Sequence, residues 1–319
     1  MKFTAIIGLE IHLELATESK MFCGCPADHF GKGPNTQTCP VCLGLPGALP
    51  VPNKKAIDWT VLIGMALGCQ IPALSKFDRK NYFYPDLPKG YQISQYDSPL
   101  AIKGLLDNVR IRRVHLEEDT AKLIHPGDST LINFNRSGVP LVEVVTEPDV
   151  ASAIQAKEFL QHLQQVIRYL RVSEADMEKG QMRCEPTVNL KIQKDGRVFY
   201  TPLVEIKNIN SFRFVKRAID FEIGRQLKEF ENTGLEKRPG SKTTRGWHET
   251  KGQTVLQREK EEAADYRYFP EPDIPPLRWA ATDLAAIKKL LPELPGEKLK
   301  RFMAEYHLPE TTAKILTAD

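Results

Sequence analysis

Apolar and polar residues alternate strictly near the start of the chain. Residues 8–15 contain four apolar and three polar side chains in alternation: Leu9, Glu10, Ile11, His12, Leu13, Glu14 and Leu15. A period of two predicts a half-buried β-strand whose apolar face is directed towards the core. Glu10 and His12 would then share one face, about 7 Å apart, and could converge on one bound ion or phosphate. The alternative interpretation is the solvated face of an edge strand.

Two further strand candidates carry carboxylate and imidazole side chains. Residues 109–118 alternate except at Arg113–Val114, where the break predicts a β-bulge, and they place His115 and Glu117 on one face. In residues 141–145, Glu143 is the single carboxylate among four apolar residues, so it needs a partner, a metal or solvent. If these strands are neighbours, their carboxylates would repel unless a divalent cation lay between them. Carboxylates with one imidazole favour Mg²⁺ or Mn²⁺ over Zn²⁺.

The remaining pattern predicts helices and a hairpin. Helices are predicted over 54–68, over 152–170 with Ser152 as N-cap, and from Asn210 or Ser211 to Gly234. A hairpin is predicted from the strand patterns over 185–192 and 198–206, which flank the turn signal at 194–197. Residues 237–261 are predicted to be poor in strands, and short helices are predicted after residue 283. The chain is therefore predicted to be an α+β protein with a largely antiparallel sheet and a domain boundary near residue 277.

Four cysteines are paired in the sequence. They follow the pattern C-x-C, thirteen residues, C-x₂-C, and they are Cys23, Cys25, Cys39 and Cys42. Such spacing can place four thiolates around one tetrahedral Zn²⁺, and a closed shell of four cysteines is typical of a structural metal. The loop between the pairs is rich in Gly, Pro, Asn and Asp, so a metal would supply cohesion that the loop cannot. Four reduced cysteines without a metal are the alternative.

Two segments mix aromatic, charged and proline residues. Residues 77–96 and 264–273 both have this character, and Lys80 and Tyr82 in the first are candidate nucleotide-binding residues. Rings and cations on an irregular loop could stack on and hydrogen-bond a nucleotide, although a well-packed loop is the alternative. Lys207 and Asn208 join a strand to a helix N-terminus, which predicts a phosphate site, but capping alone would also explain the polar residues.

Composition excludes several classes of protein. The 319 residues carry a formal net charge of +3, with 41% hydrophobic and 27% charged residues, as in ordinary soluble proteins. No apolar run is long enough to span a membrane and the N-terminus has no signal-peptide pattern, so a cytoplasmic location is expected. No P-loop, GxGxxG or HExxH motif, amidase signature or Cys-His glutaminase arrangement is visible.

Taken together, the motifs resemble one family, in the family's order. They are Gly8-Leu9-Glu10-Ile11-His12, the four paired cysteines, the run 79–86 (RKNYFYPD), His115-Leu116-Glu117-Glu118-Asp119, Gly138-Val139-Pro140-Leu141 and the run 265–270 (DYRYFP). This set resembles the GatB subunit of the tRNA-dependent amidotransferase GatCAB and its archaeal relative GatE, over about residues 3–277. The resemblance implies a cradle-shaped catalytic domain over 1–277, with a zinc-binding insertion at 22–43. Residues 278–319 would begin a helical domain, which is expected to be incomplete.

The resemblance implies a two-step reaction that uses ATP and Mg²⁺. The protein would phosphorylate the side-chain carboxylate of Glu-tRNA(Gln) or Asp-tRNA(Asn), and ammonia would then displace the phosphate. The amidase subunit GatA would supply the ammonia, and the small subunit GatC would complete the assembly. The competing hypothesis is a non-catalytic, zinc-containing RNA-binding or assembly module, in which the acidic strand residues form internal salt bridges.

The same resemblance implies the site residues. The Mg²⁺ ligands and catalytic residues would be Glu10, His12, Glu117 and Glu143, the set that the strand patterns also single out. Cofactor-binding candidates are Lys80, Tyr82, Arg183, Lys207 and Asn208. Relatives commonly carry Arg-Cys-Asp where this chain has Arg183-Cys184-Glu185, so contact between Glu185 and the metal is left open.

Overall fold

A computed structural model describes residues 1–259 and 266–318, apart from the side chains of residues 258 and 259. Asp265, the first residue of the 265–270 motif, lies outside the described residues, as do residues 260 and 261 of the polar stretch and the side chain of Arg258. The helices are α1 (Lys54–Ala66), α2 (Ala153–Tyr169), α3 (Phe212–Thr233), α4 (Ala281–Lys288), α5 (Pro295–Glu305) and α6 (Glu310–Leu316). The strands are β1 (Lys2–Glu14), β2 (Leu74–Ser75), β3 (Asp78–Asn81), β4 (Tyr91–Ser94), β5 (Ala101–Leu106), β6 (Val109–Glu118), β7 (Lys122–Ile124), β8 (Leu131–Asn133), β9 (Pro140–Thr146), β10 (Met182–Lys194), β11 (Arg197–Tyr200), β12 (Val204–Lys207), β13 (Thr243–His248), β14 (Gln253–Glu259), β15 (Phe269–Pro270) and β16 (Leu277–Arg278).

A central sheet organises the described part of the chain. Its strand order is β14-β13-β12-β10-β1-β9-β6-β5, and β11 also pairs with β10. Neighbouring strands are antiparallel except β12 and β13, which are parallel. The prediction of an α+β fold with a largely antiparallel sheet is confirmed. The opening strand β1 lies inside the sheet between β10 and β9, so it is not an edge strand.

The alternation of β1 determines which face of the sheet becomes the core. Leu9, Ile11 and Leu13 are at most 1% exposed and belong to one apolar cluster with the buried residues of α2 and α3. Helix α3 packs on β10, and α1 packs on β6. Glu10 and His12 therefore project from the opposite face, where no helix covers them among the described elements.

The predicted helix ends are confirmed by their capping geometry. The Ser152 side chain accepts a hydrogen bond from the Gln155 amide at the start of α2, and Ser211 accepts one from Phe214 at the start of α3. Gly234 caps the C-terminus of α3, and its φ of 66° is the left-handed conformation that glycine adopts without strain.

Two predictions about strands are wrong. The single strand expected over 198–206 is divided into β11 and β12, and Pro202 lies in the break, where it has no amide hydrogen for a sheet ladder. The stretch 237–261, expected to be poor in strands, contains β13 and β14. Their polar composition gives little strand signal. In addition, β13 joins the sheet by pairing with β12, and this pairing depends on residues distant in the sequence.

The two aromatic segments meet at one small sheet. The first segment forms the antiparallel pair β3 and β4 around the turn 82–90, and β15 of the second segment pairs with β3. Arg79 holds them together, because its Nε and Nη2 donate to the two carboxylate oxygens of Glu271 at 2.6 and 2.9 Å. The Glu271 side chain is fully buried, so this ion pair is largely removed from solvent.

Replacing Glu271 with Gln is expected to lower the free energy of unfolding by about 3 kcal/mol, since it removes the buried one of the two carboxylates that pair with the Arg79 guanidinium. The measurement is chemical denaturation of the parent and the variant. Asp273→Asn is the matched control, because Asp273 contacts the same guanidinium at 3.2 Å but is 37% exposed. Equal losses of stability in the two variants would contradict the assigned role of the buried pair.

The short helical pieces predicted after residue 283 are present as α4, α5 and α6. Helix α4 contacts α1, and the side chains of Gln165 and Tyr169 on α2 donate hydrogen bonds to the Thr317 carbonyl. The domain boundary near residue 277 stays a prediction. Within the described ranges, no helix has the length and apolar character needed to cross a lipid bilayer.

Candidate active site

The register of three neighbouring strands brings the predicted site residues together. On the polar face of the sheet, His12 of β1 lies opposite Glu143 of β9, and Glu143 lies opposite His115 of β6. On the other side of β1, His12 lies opposite Arg183 of β10. Directly opposed residues share a face, so His115, Glu143, His12 and Arg183 form one row across four strands.

Glu143 is the centre of a compact group of carboxylates and imidazoles. Its Oε2 lies 3.4 Å from His12 Nε2 and 3.2 Å from His115 Nε2. Glu117 completes the group, because its Oε1 lies 3.7 Å from His12 Nε2. The Ser94 hydroxyl donates to Glu117 Oε2 at 3.1 Å and fixes that carboxylate.

The four groups determine one another's ionisation. Burial opposes ionisation of Glu143, yet the imidazoles of His115 and His12 hold the pKa of this carboxyl well below its usual value. Burial likewise opposes protonation of His12, but Glu143 and Glu117 raise its pKa to about 9. The two carboxylates therefore attract positive charge to this buried site, either as protons on the imidazoles or as a bound cation that displaces them.

Glu10 lies on the same face but outside this compact group. It precedes His12 by two residues on β1 and lies opposite Val145 of β9 and Glu185 of β10. Burial, together with the charges of Glu143 and Glu205, raises the pKa of the Glu10 carboxyl. Three of the four predicted metal ligands are thus brought together, and ligation by Glu10 stays a prediction.

The compact group has the donor atoms that a hard cation requires. One ligand atom from each of His12, Glu117 and Glu143 can be chosen so that all lie within 4.8 Å of one another. Two carboxylates and one imidazole, with room for solvent ligands in the adjoining cavity, suit an octahedral ion such as Mg²⁺ or Mn²⁺. The residues present therefore fit the metal that the sequence predicts.

A cavity of about 510 Å³ is lined by this group and by four tyrosine rings. Tyr96 stacks on Tyr268 with ring centroids 4.3 Å apart, and Tyr82 meets Tyr266 edge to face at 5.8 Å. Lys80 Nζ lies 4.8 Å from the centre of the Tyr266 ring. Both predicted nucleotide-binding residues of the first aromatic segment, Lys80 and Tyr82, line the cavity.

The other cofactor-binding candidates lie on the β10 and β12 side. Lys207 Nζ pairs with Glu185 at 2.7 Å and Glu205 at 3.1 Å, and Arg183 Nη2 donates to Asp119 Oδ2 at 2.6 Å. Arg183 and Lys207 line both this cavity and a second one of about 630 Å³, whereas Asn208 lines only the second. Glu185 holds Lys207 and is not part of the compact carboxylate–imidazole group.

Sequence reasoning left two residues out of the site. His115 is buried and contacts Glu143 in the compact group. Its position two residues before Glu117, on the same face of the predicted strand, could have identified it. Asp119 directly follows β6 and is 4% exposed; despite burial, the charges of Arg183 and Arg136 hold its carboxyl pKa far below the usual range. No periodic signal marks Asp119, because its role depends on Arg183 of a distant strand.

The four paired cysteines form a second centre in the segment 22–43. The sulfur atoms of Cys23, Cys25, Cys39 and Cys42 all lie within 4.8 Å of one another. Tetrahedral zinc with bonds of about 2.3 Å would place sulfurs about 3.8 Å apart, and the Cys39 and Cys42 sulfurs are 3.9 Å apart. The cluster could therefore hold a zinc ion.

A buried lysine stands beside this centre. Lys20 is 1% exposed, and its Nζ lies 3.7 Å from Cys42 Sγ. The same ammonium donates to the carbonyls of Gln37, between the cysteine pairs, and Phe134, before β9, at 2.8 and 3.3 Å. Hydrogen bonds from Cys23 and the Cys39 backbone, with the charge of Lys20, lower the pKa of the Cys42 thiol to about 4. A four-thiolate zinc centre has a net charge of about −2, which the ammonium would partly offset.

The fold and the site define an α+β enzyme domain that combines a buried carboxylate–imidazole cluster with a four-cysteine centre. Residues 5–284 match the model of the GatB/GatE catalytic domain, and the chain therefore belongs to this family of amidotransferase subunits. Similar proteins include the GatB-type subunits of the aspartyl/glutamyl-tRNA(Asn/Gln) amidotransferases from Thermotoga petrophila, 52% identical, Thermomicrobium roseum, 53%, and Persephonella marina, 49%. In each case the match covers all of this chain and 67–68% of the relative.

Proposed function

We propose that the chain activates the side-chain carboxylate of Glu-tRNA(Gln) or Asp-tRNA(Asn) with ATP, as the GatB subunit of a tRNA-dependent amidotransferase. Ammonia from the amidase subunit GatA then displaces the phosphate to give the amide, and the small subunit GatC completes the assembly. The observation that carries the proposal is the convergence of His12, Glu117 and Glu143 at a cavity that Lys80 and tyrosine rings also line. The names of the similar proteins support the tRNA substrates.

The reaction requires placement and charge neutralisation more than a strong base. A substrate carboxylate is already nucleophilic, so the protein has to bring it in line with the γ-phosphate and offset the negative charge of both groups. His12, Glu117 and Glu143 would hold Mg²⁺, with Glu10 beside them, and the ion when bound neutralises phosphate oxygens. Ser94 fixes Glu117 through its hydroxyl, so the ligand group is preorganised.

Lys80 and the tyrosine rings of the cavity would bind the substrates and exclude water. Lys80 has a raised pKa despite its burial, because Glu117, Glu143 and other groups favour its ammonium form, so it offers a positive charge to a phosphate. Tyr82, Tyr266 and Tyr268 present ring faces and edges to the same cavity. An acyl phosphate is hydrolysed by water, and an aromatic wall that limits solvent would protect it until ammonia arrives.

The test of the proposed function is phosphate release from ATP by the assembled enzyme. Release is expected only when Mg²⁺ and misacylated tRNA are both present, because the substrate carboxylate is the phosphate acceptor. Uncharged tRNA is the matched control, since it binds through the same nucleic acid but has no side-chain carboxylate. Release that is equal with charged and uncharged tRNA would contradict the proposal. Binding of tRNA without any phosphate release would favour the RNA-binding module instead.

A further inference from the structure

Three arginines on one strand have different environments. Arg110 and Arg112 of β6 each make a two-point ion pair at the surface, with Asp149 at 2.7 and 2.8 Å and with Glu147 at 2.8 and 3.0 Å. Arg113, the next residue, has no ion pair with any residue that the structure describes. Its Nε is buried and has no hydrogen-bond acceptor.

A β-bulge turns Arg113 towards the candidate active site. Ile111 pairs with Thr146 and Arg113 pairs with Val145, so Arg112 is the extra residue on β6. Before the bulge the odd-numbered Ile111 faces the core at 1% exposure, whereas after it the even-numbered Val114 does so at 0%. Arg113 therefore shares a face with His115 and lines the cavity. Bulges near active sites commonly redirect a side chain in this way.

Arg113 lies close enough to the carboxylate–imidazole group to contact an anion bound next to that group. Arg113 is opposite Val145, and Val145 is opposite Glu10, so it lies one cross-strand row from His115, Glu143 and His12. Same-face residues two apart lie about 7 Å apart, a distance that an arginine side chain and one bound phosphate can span. Tyr268 lines the same cavity, and the charge of Arg113 acts to lower the pKa of its hydroxyl, although burial raises that pKa overall.

A buried donor without an acceptor is unfavourable, so its retention at a cavity surface calls for a ligand. Leaving such a donor unpaired costs about 1–3 kcal/mol, more for a charged group. The planar guanidinium can donate two parallel hydrogen bonds to a phosphate or carboxylate. A phosphoryl group in transfer carries negative charge on three equatorial oxygens, and this fork could therefore bind two of them.

We propose that Arg113 is a catalytic residue that binds the phosphoryl group during its transfer from ATP, an inference that rests on the proposed function. In this step an oxygen of the substrate carboxylate forms a bond to the γ-phosphorus. The bond from that phosphorus to the β,γ-bridging oxygen breaks, and ADP leaves with the electron pair. No proton is transferred, so a fixed positive charge is the appropriate form of assistance.

The experiment compares Arg113→Ala with Arg112→Ala in the chain assembled with its amidase and small subunits. Phosphate release from ATP is measured with misacylated tRNA and Mg²⁺. Loss of a charged donor to the transferring group is expected to lower kcat about 100- to 1000-fold, with a smaller effect on the KM for ATP. Arg112→Ala, which removes a surface ion pair on the same strand, is expected to retain the parent kcat.

Two further measurements separate catalysis from structure. Guanidinium ion at millimolar concentration is expected to restore part of the activity of Arg113→Ala, which it would not do for a variant with a damaged fold. Arg113→Lys keeps the charge but not the forked pair of donors, and it is expected to have an intermediate kcat. If the alanine variant does not fold, the kcat of Arg113→Lys tests the role of Arg113.

The outcomes distinguish this inference from the proposed function. A parent enzyme that releases no phosphate under these conditions would overturn both. An active parent with an equally active Arg113→Ala, or with an Arg113→Lys at the parent rate, would overturn the role of Arg113 alone. The same follows if folded Arg113→Ala is inactive and guanidinium restores nothing.

Discussion

Glu143→Gln is expected to lower Mg²⁺-dependent phosphate release from ATP by about a thousandfold. A bound metal contributes several kcal/mol to stabilisation of transition-state charge, and each 1.4 kcal/mol corresponds to a factor of about ten. Glu143 is the residue that matters most, because its Oε2 contacts the imidazoles of both His12 and His115. The amide keeps the shape of the side chain but removes the charge that would hold a cation.

The measurements are phosphate release with misacylated tRNA and, separately, titration of the protein with Mn²⁺ followed by electron paramagnetic resonance. Glu147→Gln is the matched control, because Glu147 follows the same strand but pairs with Arg112 at the surface. It should retain both activity and Mn²⁺ binding. A Glu143→Gln enzyme that binds Mn²⁺ and turns over like the parent would show that the metal lies elsewhere.

Removal of zinc is expected to have the second-largest effect. Protein prepared without chelators should contain about one zinc per chain, held by four sulfurs at about 2.3 Å, and Cys42→Ser should lose it. Structural zinc contributes roughly 10–16 kcal/mol of binding free energy in small zinc domains, so the segment 22–43 should become sensitive to proteolysis. Lys20 would then keep a buried positive charge after its thiolate partner is gone.

Lys20→Met tests the electrostatic part of this prediction. Loss of a residue that supports metal ligands typically costs about 10- to 100-fold in metal affinity, and a decrease of that size is expected in competition with a chelator. Lys32→Met is the matched control, since Lys32 belongs to the same segment but pairs with Asp28 at the surface. Absence of zinc from the parent protein would refute the metal centre, whereas unchanged zinc affinity in Lys20→Met would refute only the role of Lys20.

Local patterns predicted the elements whose signals lie within a few residues. The helix caps are the residues expected, Ser152 and Ser211 at N-termini and Gly234 at a C-terminus, because capping depends on backbone groups two to four residues away. The prediction of β13 and β14 failed for the opposite reason. Their polar residues carry little strand signal, and the pairing of β13 with β12 depends on chain about 40 residues earlier.

The sequence by itself determined the alternation of β1, which assigns Glu10 and His12 to one face, and the cysteine spacing that makes a four-sulfur centre possible. Period and spacing are properties of residues close together in the sequence, so they can be recognised without knowledge of the fold. Only the tertiary structure decided that Glu143 lies between His12 and His115 and that Arg113 faces the cavity. Those contacts depend on the register between strands separated by up to about 130 residues and on one bulge, and a shift of a single residue would have turned each side chain to the other face.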